Sequence, residues 1–365
     1  MIWFSYKRPA TLLLHFALLT ILIGACVTHF FGQQGEVHIR ADKAETIHNS
    51  QCTMHNSQLT LFLWDFQIVE DGDGNPVDFI SDLRLLDRSR QPSAVSHQQL
   101  KVDEGTLRMN KPLKYHGWRF CQSDYDSDER GVVLSYNHDP WGIGITYAGY
   151  ALLLVAMIAF FFQRHSRFRS VLHGLTAQWS QKGVVTIFSS LVLLIVVLTI
   201  VMTRVVTPKP PLQPVLQTPL LGIHVSVIML SYTLFAIIAI LGIVGLCSKK
   251  LSAISHQLSA ISYQLSVVLL YPALFCLTAG IFIGAIWANM SWGRYWGWDP
   301  KETWALITMI VYAFLLHWTW LTGKLKINNE KLRITYHVFA IVAFFFVLFT
   351  YFGVSYLLGG LHSYA

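Results

Sequence analysis

Seven stretches of this chain are apolar for long enough to cross a bilayer, at 11–31, 142–163, 184–203, 222–247, 265–288, 303–321 and 334–358. Each meets the requirement of roughly 20 residues for a hydrocarbon core. Between the first two the pattern changes character. Leu59–Val69 and Val132–Tyr136 are short and rich in apolar and β-branched residues, and Asp71-Gly72-Asp73-Gly74-Asn75-Pro76 punctuates the interval as a turn. The pattern predicts a polytopic α-helical membrane protein of about seven spans with one small β-rich external domain over 32–141. Two membrane tethers help so small a domain to hold its core.

Charge orients the spans. With the N-terminus in the cytoplasm, the short inner segments carry Lys7, Arg8, Arg164, Arg167, Arg169, Lys182, Lys249, Lys250, Lys324, Lys326, Lys331 and Arg333. The short outer segments carry only Arg204, Lys209, Arg294 and Lys301. This positive-inside bias places 32–141 and the C-terminus outside. The reading divides the chain into an uncleaved anchor over 1–31, the external domain, a second span at 142–163, a basic linker at 164–183 and a membrane domain over 184–365. Hydrophobic residues make up 53% of the chain and charged ones 13%, a membrane composition. The net charge of +7 follows the inside bias and does not point to nucleic acid.

Five cysteines bound the redox chemistry. Cys52 and Cys121 both fall in the external domain, where a disulfide is chemically permitted. No CxxC or CxxCH occurs, which argues against a thiol oxidoreductase and against covalent haem on this chain. The Asp-Gly-Asp-Gly run lacks the remainder of a calcium loop, and no HExxH or paired cysteine suggests zinc. Leu251–Gln257 and Leu258–Gln264 form a near-perfect seven-residue repeat, expected to be a neutral insertion or an amphipathic surface helix.

One run exceeds what a membrane helix needs. Trp292-Gly293-Arg294-Tyr295-Trp296-Gly297-Trp298-Asp299-Pro300-Lys301-Glu302 places Trp292, Trp296 and Trp298 in an outer loop near 287–302. It reads either as a platform for a large flat ligand or as a dense aromatic belt. Asp299 and Glu302 stand where they would cap the next helix, and Asp299 is also the first acid to consider for catalysis. Histidines sort by depth around this loop. His224 opens the fourth span and His362 follows the last, both outside. His15 and His317 lie at similar depth toward the inside, with His337 nearby. A polar ring in hydrocarbon is costly unless paired or ligated. Imidazoles beside stacked aromatics suit haem iron and porphyrin, with Arg294 or Lys301 available to a propionate. A ring at a span end can equally bond a backbone carbonyl.

Three segments then carry a resemblance: Gly222-Ile223-His224-Val225, Trp298-Asp299-Pro300-Lys301-Glu302-Thr303-Trp304-Ala305-Leu306, and Tyr351-Phe352-Gly353-Val354 followed by Gly359-Gly360-Leu361-His362-Ser363-Tyr364. They resemble the tryptophan-rich haem-handling proteins of c-type cytochrome biogenesis, in particular the synthase of the type II system. Asn110–Trp118, Cys121–Tyr125 and Asp139-Pro140 are similar to the partner subunit of that synthase. The chain thus resembles a natural fusion of the partner subunit (1–163) with the haem-handling subunit (about 184–365), though with fewer spans and a smaller external domain than fused relatives.

The resemblance implies a bacterial inner-membrane protein with a periplasmic domain, and haem b as substrate and bound ligand. His224 and His362 would be the external axial ligands beside the tryptophan-rich loop, and His317 an intramembrane ligand. Its partner is assigned to His15 on depth. The implied activity is that of a cytochrome c synthase of haem lyase type: haem passage across the membrane and attachment to the CxxCH of apocytochrome c, with thiol-reducing proteins as further partners. A haem exporter without ligase activity and a purely structural membrane subunit are the alternatives.

Overall fold

The structure, a computed structural model, describes residues 9–41, 44–47, 59–87, 103–163, 166–177, 214–247, 253–324 and 330–358, with scattered helical residues between 186 and 200. Helix α1 (Pro9–Phe31) leads into strands β1 (Gln33–Arg40), β2 (Ala44–Ile47), β3 (Leu59–Glu70), β4 (Pro76–Asp87), β5 (Asp103–Arg108), β6 (Leu113–Tyr115), β7 (Trp118–Tyr125) and β8 (Gly131–His138). Helices α2 (Gly142–Phe162), α3 (Arg167–Thr176), α4 (Pro219–Cys247), α5 (Ala253–Ser291), α6 (Pro300–Lys324) and α7 (Glu330–Leu348) follow. The last continues as a wider π-type helix over Phe349–Leu358.

Among the described residues, five helical stretches are long and apolar enough to cross a membrane: Pro9–Phe31, Gly142–Phe162, Pro219–Cys247, Leu258–Ser291 and Glu330–Leu358. They match five of the expected segments. The expected span at 303–321 lies within α6, and the one at 184–203 falls largely outside the described residues. The chain is a polytopic helical membrane protein carrying a β-rich domain.

That domain is a sandwich of two four-stranded antiparallel sheets, ordered β1-β8-β7-β6 and β2-β3-β4-β5. Alternate residues Leu59, Leu61 and Leu63 of β3 and Leu83 and Leu85 of β4 turn inward against Ile39, Phe120, Val132 and Leu134 of the other sheet. The expected turn joins β3 to β4. Asp71 accepts backbone N–H bonds from Asp73 (2.9 Å) and Asn75 (2.8 Å), and Gly74 takes φ +80°. The Asn75 N–H holds the Asp71 carboxyl below its ordinary range. The Asp-Gly run therefore serves the chain reversal.

Small residues let α1 and α2 approach closely. Gly24 faces Thr146, Gly149 faces Ile21 and Gly142 faces Thr28. Buried Asp139 links the sandwich to this pair, accepting from Thr28 Oγ1 at 2.6 Å and from the Gly142 N–H at 2.7 Å. The expected linker at 164–183 contains a real helix, α3. Ser166 caps it by accepting from the Arg169 N–H, and its Phe168 packs edge-on to Tyr271 of α5.

From Ala253 the seven-residue repeat forms the first turns of α5, a helix of 39 residues, and its second copy opens the apolar stretch Leu258–Ser291. Ser259, Ser262 and Ser266 are buried against the bundle, and the last two bond carbonyls of the preceding turn. Spacing by seven returns a residue to nearly the same helix face, so the small serines form one packing stripe.

Candidate functional site

The helix ends on the sandwich side of the bundle carry most of the expected site residues. His224 lies just inside the start of α4 and sits in a slot on α5. Its Nδ1 is 2.7 Å from the carbonyl oxygen of Gly280. A Cβ at Gly284 would fall 2.6 Å from His224 Cε1, and one at Gly280 would fall 2.5 Å from Ile228 Cδ1. Residues 224 and 228, one turn apart on α4, thus oppose glycines 284 and 280, one turn apart on the antiparallel α5.

This contact sets the tautomer. A carbonyl only accepts, so Nδ1 carries the proton and the neutral ring presents its lone pair at Nε2. His15 and His317 obey the same rule. Their Nδ1 atoms lie 2.8 Å from the Thr11 and Ala313 carbonyl oxygens, one turn earlier on their own helices. Both rings are exposed on the bundle surface. Ligating histidines commonly hold the second ring nitrogen in this way.

The expected inner pair are on α1 and α6, whereas α1 packs chiefly on α2, and α6 on α5 and α7. Within the described residues no hydrogen bond or ring contact joins His15 to His317. His337, level with His317 across the α6–α7 hairpin, is fully buried near Tyr263 and Tyr336. His362 lies outside the described residues.

The tryptophan-rich loop joins α5 to α6, and its three indoles do not form one flat surface. Trp292 meets Trp287 edge-on at 4.8 Å, and both pack with Leu216 of the turn Pro214–Leu216 that precedes α4. Trp296 packs on the bundle core. Trp298 stands at 73% exposure, with its ring edge-on to Trp296 at 6.0 Å. Left-handed backbone at Gly293 (φ +74°) and Trp298 (φ +55°) causes this divergence.

The loop ends in the expected helix cap. Asp299 Oδ2 accepts from the Lys301 N–H at 3.1 Å. Glu302 Oε2 reaches back to the N–H groups of Gly297 (2.8 Å) and Asp299 (3.3 Å). With Pro300 at the first helical position, this is a capping box with Asp in the cap position. The Asp299 carboxylate is buried in that role. Lys301 is turned away from the loop: its Nζ donates to Ser355 Oγ at 3.0 Å and lies 5.9 Å from the centre of the Tyr351 ring. It ties the start of α6 to the π-type helix that leads toward His362. Arg294 is the exposed cation of the loop, beside Gly297.

Cys121 is a free thiol, and Cys52, with which a disulfide is chemically permitted, lies outside the described residues. Cys121 is buried against the root of the loop, 3.9 Å from the Met290 carbonyl oxygen, and burial pushes its thiol up to about 11. Other contributors escaped the sequence reading. Gly280 and Gly284 carry a legible signal in their spacing by four. Asn110 and Asn137, which touch the loop from the sandwich, carry none.

Two family models match the chain. One, described as cytochrome C assembly protein, covers residues 149–362, and one described as a ResB-like family covers residues 5–138. The first match takes in His224, the tryptophan-rich loop, His317 and His362, and the second takes in His15 and most of the sandwich. Protein NrfI of Wolinella succinogenes is 42% identical over 158 residues, 42% of this chain and 17% of that protein. Cytochrome c biogenesis protein CcsA of Chlamydomonas reinhardtii is 39% identical over 158 residues, 42% of this chain and 43% of that protein. The protein of the same name from Arabidopsis thaliana is 47% identical over 88 residues, 24% of this chain and 25% of that protein. The chain therefore spans less than half the length of these relatives.

Proposed function

Since this chain belongs to the cytochrome c assembly protein family, we propose that it carries haem b across the bacterial inner membrane and attaches it to the CxxCH cysteines of apocytochrome c. In this reading the sandwich and the tryptophan-rich loop are periplasmic and the starts of α1 and α7 face the cytoplasm. The carrying observation is the shared setting of His224, His15 and His317. In each, a backbone carbonyl accepts a hydrogen bond from Nδ1–H, which makes Nε2 the ligating nitrogen. That is the donor chemistry ferrous and ferric haem require.

The residues have separable tasks. His317, with His15, receives the substrate on the inner side. His224 and His362 hold it outside, where Trp298 offers an apolar face and Arg294 a partner for a propionate. The porphyrin supplies two vinyl groups. Each cysteine S–H adds across one of them, the sulfur bonding to one vinyl carbon and the thiol proton ending on the other. No oxidant or reductant is consumed once the thiols are reduced, a state that partner proteins must supply. The chain's own contribution is orientation, which replaces a bimolecular encounter. Asp299 is engaged as a cap and serves this chemistry by holding the loop.

The test is the absorption spectrum of detergent-purified protein, oxidised and reduced, for wild type and for a double His224→Ala, His362→Ala variant, followed by incubation with reduced apocytochrome. Bis-histidine bands lost in the variant, and a thioether product formed by wild type alone, are the expected results. Bound haem without product in wild type would make the chain an exporter. No haem in wild type under ample haem supply would leave a structural subunit.

A further inference from the structure

The root of the tryptophan-rich loop lies across one face of the sandwich. Ser135 and Asn137 alternate on β8 and so share a face, and Cys121 is the β7 partner of Ser135. Asn137 Nδ2 donates to the Gly293 carbonyl at 2.9 Å, and Ser135 Oγ donates to the Trp292 carbonyl at 3.4 Å. A Cβ at Gly293 would come within 3.3 Å of Cys121 Sγ, so the left-handed glycine lets the loop backbone lie flat on these strands.

Asn110 makes a second attachment. It sits in the turn between β5 and β6 with φ +61°, a conformation asparagine tolerates better than most residues. Its Oδ1 accepts from Ser291 Oγ, at the last residue of α5. Its Nδ2 lies 3.1 Å from the Val215 carbonyl and 3.4 Å from that of Pro214, in the turn that leads into α4. One side chain of the sandwich therefore joins the end of the helix that precedes the loop to the approach of the helix that bears His224.

We infer that Asn110 and Asn137 are positioning residues: the sandwich clamps the root of the tryptophan-rich loop and fixes its placement relative to His224. The inference rests on the reading that haem is held at His224. Asn137 governs the height of the loop over the sheet, and Asn110 governs the spacing between α4 and the loop. Neither touches the substrate. Both act through the backbone of other residues, so their loss changes the setting of the external site without removing a ligand.

The experiment uses the full chain in detergent, as wild type, Asn137→Ala and Asn110→Gly. Glycine keeps the left-handed backbone at 110 and deletes only the side chain. Two quantities are read: the rate of Cys121 alkylation by a maleimide, followed by mass spectrometry of its peptide, and the reduction potential of the bound haem. A melting curve confirms that each variant is folded, and Asn110→Gly, outside the sandwich core, remains informative should Asn137→Ala melt early. Cys121 is expected to be protected in wild type and alkylated at least tenfold faster in the variants, with a displaced potential and retained bis-histidine bands. Unchanged alkylation in both folded variants would overturn the clamp. Faster alkylation at an unchanged potential would overturn the positioning role. Absence of haem from wild type would sink the functional reading, while the alkylation arm would still decide the clamp.

Discussion

His224 Nδ1 and the Gly280 carbonyl oxygen are 2.7 Å apart, so the ring of an expected iron ligand is aimed by the backbone of a neighbouring helix. The bond exists because α5 has no side chain at 280 or 284 to hold α4 away. Ligand direction and helix packing are therefore one property of this pair of helices.

Gly284→Ala should displace His224. The added methyl would meet the imidazole at 2.6 Å, and overpacking of this kind costs about 1–3 kcal/mol. Haem affinity at the external site is expected to fall roughly 5- to 150-fold, since each 1.4 kcal/mol is about tenfold. Titrating haem into wild-type and variant protein and following the absorption bands checks this; equal affinities would mean that the slot does not aim the ring.

His317→Ala is expected to leave the fold almost untouched, because the ring is exposed and bonds only the preceding turn of its own helix. The melting temperature should stay within the scatter of surface substitutions, about 0.5 kcal/mol. Cytochrome c output should nonetheless drop severely in cells. A normal output would remove His317 from the inner site.

Asp299 separates capping from acid chemistry. Asn caps helices about as well as Asp, whereas Ala in that position costs about 0.5–2 kcal/mol. Asp299→Asn should retain most cytochrome c synthesis, and Asp299→Ala should lower both stability and output. Loss of output in Asp299→Asn at wild-type stability would instead identify a proton donor.

Cys121 gives a pH signature. Burial lifts its thiol from the ordinary 9.0 to about 11, so between those values the unfolded chain has lost a proton that the folded one retains. Stability contributed by the buried neutral thiol is complete below pH 9 and falls as the pH rises toward 11. Melting curves of wild type and Cys121→Ser over that range should differ in slope, the variant being flatter; parallel curves would place the thiol in a wetter setting.

Much of this architecture was legible because it depends on local patterns. Apolar length gave the spans, short segments rich in apolar and β-branched residues gave β3 and β8, and the positions of Asp299 and Glu302 gave the cap of α6. The helix over 253–264 was not legible in the repeat because the burial of Ser259 and Ser262 belongs to packing, which no repeat count reveals. The directions of Trp292, Trp296 and Trp298 were not legible for a related reason. Two left-handed residues, Gly293 and Trp298, decide where the indoles point, and backbone sign is not written in aromatic spacing. Asn110 and Asn137 were silent because their partners are 104 to 181 residues away in the chain, a separation at which only the folded molecule brings groups together.

Strands β1 and β8 pair from Gln33 with His138 onward, so the chain enters and leaves the sandwich at neighbouring points on the same pair of spans. The described residues up to the end of α2 thus carry two spans of their own, which pack on α5 through Tyr150, Phe160 and Phe161. Their bond to the remainder at the loop is made by a few side-chain amides and hydroxyls, independent of the peptide link between the halves. What must change in concert, whether they are encoded together or apart, is the face of Cys121, Ser135 and Asn137 with Met290, Trp292 and Gly293, whose backbone lies upon it.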